Sequence, residues 1–143
     1  MDDRLIFGDR YKVGIAAVDA EHQKLFDIAG TVYDCLARDV VAPMSEIRAA
    51  VAELVDYART HFASEEAMMS AAGCPWLAEH HAMHEKLVSR VQDMETRAEI
   101  EDFYTPIDLY EFLCSWLIDH IEKEDTKFGQ FLAQKSGGAA GGA

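Results

Sequence analysis

The chain has 143 residues, half of them hydrophobic, and a formal net charge of −13. That length fits one domain able to bury a substantial core without cross-links. The charge argues against nucleic acid and anionic membrane surfaces as partners, since both need a basic footprint, and no apolar run approaches the roughly 20 residues of a transmembrane helix.

Residues 1 to 18 read as a mixed arm carrying Phe7, Tyr11, Gly8 and Gly14. Asp19 suits the N-cap of a first helix, about 19 to 37, whose Leu25, Phe26, Ile28, Ala29, Val32, Tyr33 and Leu36 recur at helical spacing. Pro43 suits the first turn of a second helix that runs to about Ala72 and stops at Gly73 and Pro75. A third helix spans about Trp76 to Ala98, followed by a polar connection from Glu99 to Tyr104. Thr105-Pro106-Ile107-Asp108 combines a capping residue, a proline at the first helical position and an acid at the third. It opens a fourth helix, about Pro106 to Phe131. From Ser136 the chain is glycine and alanine, a flexible tail beyond a domain at 1–135.

No segment alternates in the strand manner. The expected fold is all-α: an antiparallel up-down-up-down four-helix bundle with an N-terminal arm. Cys35, Cys74 and Cys114 are odd in number, far apart and without a Cys-x-x-Cys pair, so they read as reduced, buried thiols. With an N-terminus that lacks the basic-then-apolar layout of a secretory signal, this points to the cytoplasm.

Five of the six histidines fall in four helical segments: His22; His61, with Glu65 four residues on; His80 with His84; and His120, with Asp125 five residues on. Residues four apart share a helix face. In an antiparallel bundle the start of helix one lies level with the end of helix two, the start of helix three and the later half of helix four, so all seven groups share one depth. A single histidine on an apolar face is more often a hydrogen-bonded core residue, but five at one depth with acids a turn away describe a metal site. His81 points about 100° away from His80, toward the surface or an outer layer.

Spacing does not settle every carboxylate. Glu65 shares the face of His61, whereas Glu66 is rotated away. On helix four, Glu124 stands four residues after His120 and fits an ideal helix better than Asp125, which needs a bulge or a straddling arrangement. Seven ligands exceed one four-coordinate zinc, so two metals sharing carboxylates are implied. With three histidines on one metal and two on the other, the second keeps an open position suited to a small diatomic ligand. Histidine donors suit iron, with copper and zinc as competitors.

The segments Val13–His22, His61–Glu66, His80–His84 and Trp116–Asp125 carry the pattern His, His-x-x-x-Glu, His-x-x-x-His and His-x-x-x-x-Asp. In this the chain resembles the hemerythrins, and in detail the single-domain bacteriohemerythrins, over nearly its whole length. The resemblance implies two iron ions with a bridging oxo or hydroxo group. It assigns His80, His84 and His120 to one iron and His22 and His61 to the other, with Glu65 and Asp125 bridging, and so selects Asp125 over Glu124. It also implies O2 as the partner, bound reversibly at the open position, and Phe62, Met69, Trp116 and Leu117 as walls of the oxygen pocket, with Phe62 and Leu117 facing the open iron. Phe7 stands where relatives carry tryptophan, and Cys74 where a tyrosine commonly precedes Pro75.

The expected function is therefore oxygen carriage, storage or delivery rather than enzymatic turnover, by a monomer or weak oligomer with room for a redox partner. Two alternatives stand beside it. One is an oxygen or redox sensor domain cut from a longer signalling protein, for which the tail would be a linker. The other is a di-iron enzyme reducing O2, peroxide or nitric oxide.

Overall fold

The computed structural model describes residues 4–38, 43–101 and 106–141, with side chains over 4–38, 43–96 and 106–135. Helix α1 spans Ala16–Leu36, α2 Met44–Ala71, α3 Leu77–Glu101, α4 Pro106–His120 and α5 Thr126–Gly141. A π-helical turn, Ile121–Asp125, joins α4 to α5, so these three pieces form the fourth rod of a four-helix bundle. No strand occurs among the described residues.

Each rod buries one stripe at three- and four-residue spacing. On α3 the stripe runs His80, His84, Leu87, Val91, Met94, so the imidazoles occupy the opening turns of an otherwise apolar seam. His22 takes the same place on α1, ahead of Leu25, Phe26, Ala29 and Val32. On α2 the order is reversed: Ile47, Val51, Leu54, Val55 and Ala58 precede His61 and Glu65. On the fourth rod Leu109, Leu113 and Leu117 precede His120 and Asp125. The polar layer thus lies near one end of the bundle. The main core packs on its far side, and a smaller cluster of Met69, Cys74 and Phe128, backed by Ile15, Trp76, Leu77 and Phe131, closes the near end.

Local chemistry explains the boundaries. Asp19, expected as an N-cap, instead sits inside the first turn of α1, where Ile15 is the N-cap. Its carboxylate reaches back to accept from the N–H groups of Val13 (2.7 Å) and Gly14 (3.2 Å), pinning the arm to the helix. Gly14 itself has φ +88°, a left-handed conformation that disfavours a side chain. Pro43 is the N-cap of α2 rather than a first-turn residue. At the other end of α2, Gly73 adopts φ +68°. The Cys74 N–H donates to Met69 O and the Gly73 N–H to Ser70 O, both bonds of a Schellman stop, and the accompanying apolar contact is Met69 with Cys74.

The arm crosses the bundle. Phe7 and Tyr11 pack on Phe26 with ring centroids 5.4 and 4.8 Å away. Val13 crosses Gly129 so closely that a Cβ there would stand 2.0 Å from the Val13 carbonyl oxygen. The capping expectation at Thr105 lies outside the described residues. The backbone remains helical over 136–141, where the sequence reading sets a flexible tail; alanines extend a helix readily while glycines weaken it. No described helix is long and apolar enough to cross a membrane.

Candidate metal centre

Five imidazoles and two carboxylates converge in the polar layer, each no more than 5 % exposed. They form two overlapping donor groups. One holds Glu65, His80, His84, His120 and Asp125; the other holds His22, His61, Glu65 and Asp125. Within each group the donor atoms lie within 4.8 Å of one another, and the two carboxylates belong to both. His80 Nε2 is 2.5 Å from Glu65 Oε1 and 3.3 Å from Asp125 Oδ1, while His22 Nε2 is 3.0 Å from Asp125 Oδ2. His61 Nε2 lies 3.7 Å from Glu65 Oε2.

Asp125 reaches the layer because of the π turn. The Thr126 N–H donates to the Ile121 carbonyl, a five-residue ring, and the Thr126 hydroxyl donates to the same oxygen at 3.0 Å. Five residues then bring the chain around about once, as four do in an α-helix, so Asp125 returns beneath His120 with 3.1 Å between Oδ1 and Nε2. Glu124, favoured by ideal α spacing, is left half-buried and outside both donor groups.

The unshared hydrogen bonds indicate what the layer lacks. His120 Nε2 faces His84 Nε2 at 3.0 Å, His80 Nε2 at 3.2 Å and Asp125 Oδ1. One ring nitrogen carries at most one proton and cannot serve three such neighbours. Glu65 Oε2 and both Asp125 oxygens are buried without a well-directed hydrogen bond among the described residues. A buried layer of converging lone pairs with too few protons is suited to cations.

Without a cation the groups share charge unevenly. Burial, with the Asp125 carboxylate beside it, pushes Glu65 up to about 8. Burial opposes the charged form of His80, but contacts with Asp125 and Glu65 outweigh it and raise the ring to about 9. Burial takes His84 down to about 4 despite Glu66. It also lowers His61, with His22 adding to the effect. Burial works against ionised Asp125, yet the imidazoles of His120, His22 and His80 hold it well below the usual carboxylate range.

Around the donors lies an outer layer that spacing alone did not reveal. Glu21 Oε1 stands 2.6 Å from His61 Nδ1, and its other oxygen accepts from Ser64 Oγ at 2.8 Å. Glu66 Oε2 stands 2.8 Å from His84 Nδ1, and its other oxygen pairs with the exposed His81. Glu66 does point away from the centre, but it points at the ligand of the next helix. The available signal was adjacency: Glu21 and Glu66 each stand one residue beside a donor, about 100° around the helix, facing the neighbouring rod.

Aromatic rings wall one side. Phe62 stacks on His84 at 4.0 Å and 10°, with His61 at 6.0 Å, so it touches imidazoles of both groups. Trp116 stacks on His120 at 4.4 Å and 12°. Leu117 is buried in the main core with them, whereas Met69 lies in the small end cluster. All three cysteines are free and buried, and burial pushes the Cys114 thiol up to about 12.

Residues 13–132 match the hemerythrin HHE cation binding domain. The chain belongs to the hemerythrin family. A bacteriohemerythrin of Stenotrophomonas maltophilia (strain R551-3) is 31% identical over 128 residues, covering 87% of this chain and 78% of that one. The myohemerythrin of Riftia pachyptila is 30% identical over 123 residues, covering 86% and 89%. A crystal structure of wild-type hemerythrin superposes with a TM-score of 0.77 at 28% identity, covering 88% of this chain and 95% of that one. The hemerythrin domain spans all seven donors, the outer carboxylates Glu21 and Glu66, and the π turn.

Proposed function

We propose that the chain binds dioxygen reversibly at two iron ions with an oxo or hydroxo bridge. His80, His84 and His120 would hold one iron and His22 and His61 the other, with Glu65 and Asp125 shared. The observation that carries this reading is the overlap of the two donor groups at those two carboxylates. Imidazole and carboxylate donors without thiolate suit non-haem iron, and the relatives are bacteriohemerythrins and a myohemerythrin. An iron pair held there would supply the electrons that make dioxygen binding both firm and reversible.

The side chains supply the rest. Three imidazoles on one side against two on the other leave the His22–His61 side short of a ligand, and that is where a diatomic guest fits. Buried Phe62 and Leu117, with Trp116 stacked on His120, keep the surroundings of the centre as a whole apolar and so limit the water and protons that reach a guest.

The test is an iron assay followed by visible spectroscopy through reduction, O2 addition and O2 removal. Two irons per chain, with a charge-transfer band that comes and goes over repeated cycles, are expected. A single zinc without iron would sink the reading. Irreversible oxidation with catalytic consumption of reductant would point to an enzyme.

A further inference from the structure

The outer layer has a cross-over pattern. Glu21 is the sequence neighbour of His22 on α1 yet touches His61 on α2; Glu66 is the neighbour of Glu65 on α2 yet touches His84 on α3. Each carboxylate has a second anchor, Ser64 for Glu21 and His81 for Glu66. The two contacted imidazoles belong to different donor groups, one to the pair His22 and His61, the other to the trio His80, His84 and His120. By contrast, His22 Nδ1 and His80 Nδ1 are buried without a hydrogen-bond partner among the described residues. The carboxylate support is therefore spread one to each side.

We propose that Glu21 and Glu66 are positioning residues that act on opposite sides of the centre, Glu21 setting how tightly the two-histidine side holds its metal and Glu66 doing so for the three-histidine side. This rests on the two-metal reading above. A carboxylate accepting from Nδ1–H fixes the ring's tautomer, aims Nε2 into the layer and makes that nitrogen a better donor. Because each carboxylate touches only one imidazole of the donor groups, its removal acts on one side. Ser64 and His81 hold the carboxylates in register, and their effects pass through them.

The two sides can be separated with cobalt(II), which needs no dioxygen chemistry and reports its coordination through visible ligand-field bands. Metal-free wild-type protein and the variants Glu21→Gln, Glu21→Ala, Glu66→Gln and Glu66→Ala are titrated, with helicity followed by circular dichroism. Wild type is expected to take two cobalt ions. In each alanine variant one binding step should weaken by about 10- to 100-fold, and the other should stay within about twofold. The glutamine variants, which keep an acceptor but lose the charge, should fall between. The ligand-field band lost first should differ between the Glu21 and Glu66 series.

Equal weakening of both steps, the same band lost in both series, or wild-type titrations throughout would overturn the proposal. Ser64→Ala guards against a folding failure at Glu21, since it removes the anchor and leaves both carboxylates in place; it should weaken the same step as Glu21→Ala, by less. Wild-type protein that takes fewer than two cobalt ions would instead sink the two-metal reading itself.

Discussion

His120 has more close polar neighbours than one proton can serve, and His81 has a single carboxylate beside the surface; the two define the range of histidine roles in this chain. His61 stands near the inner end of that range, so His61→Ala should lose iron from the two-histidine side and dioxygen binding with it, read by iron per chain and the visible band. His81→Ala should leave iron content and oxygen affinity within about twofold, because Glu66 still reaches His84 and exposed replacements are mild. Protonation is the second consequence at this scale. In the metal-free protein Glu65 is raised to about 8 and His80 to about 9, so both carry protons at pH 7. A raised pKa favours the native fold fully below the unfolded value and loses that contribution as pH rises through the folded one. For Glu65 the window runs from 4.5 to about 8, and for His80 from 6.5 to about 9. Metal ions displace both protons. Uptake at pH 7 should release about two protons per metal pair from these two side chains, with any bridging hydroxide adding its own, and apparent affinity should climb until roughly pH 9; calorimetry in buffers of different ionisation enthalpy measures both. Uptake without proton release would contradict this arrangement.

At the scale of the element, the π turn is the feature that a regular helical reading could not reach. Ideal α geometry gives Glu124 the face of His120, and only a bulge or a straddling arrangement admits Asp125. The structure contains the bulge. Its hydrogen bonds depend on backbone continuity over five residues, and no side-chain pattern announces it. Resemblance to a known family selected Asp125 where spacing left the choice open. The four rods and the depth of the donors were legible because His22, His61, His80, His84 and His120 each occupy a position in an apolar stripe. Glu21 and Glu66 were not, because a search along one face passes over residues that aim at the neighbouring rod. The bulge also makes an unusual prediction. Deleting the exposed Lys123 should close the turn to ordinary α-helix and leave the aspartate four residues after His120, still on its face. Such a variant should keep two metals per chain. Loss of metal would mean that the turn does more than adjust register.

At the scale of the molecule, seven buried polar groups divide two apolar clusters, a costly arrangement unless something binds there. Metal that binds only the folded chain stabilises it by about 4 kcal/mol at a free concentration about 1,000 times the dissociation constant. For a domain of this size that is a rise of about 10 °C in the melting temperature. Differential scanning calorimetry of stripped and reloaded protein measures it, and identical transitions would exclude metal binding to the native state. The metal-free form should be the one prone to local opening at the donor end, where the small cluster of Met69, Cys74 and Phe128, backed by Ile15, Trp76, Leu77 and Phe131, covers the layer.

That small cluster has a kinetic meaning as well. With the main core on one side and a hydrophobic plug on the other, no donor atom is reachable by a bulky chelator while the bundle is closed. Ion escape then waits for the plug to lift, much as hydrogen exchange waits for a segment to open. The rate at which a chelator strips the protein should level off as its concentration rises, at a value set by the breathing of the bundle end. How long the centre survives would then be fixed less by how strongly seven side chains grip than by how often the apolar plug at the bundle end lets go.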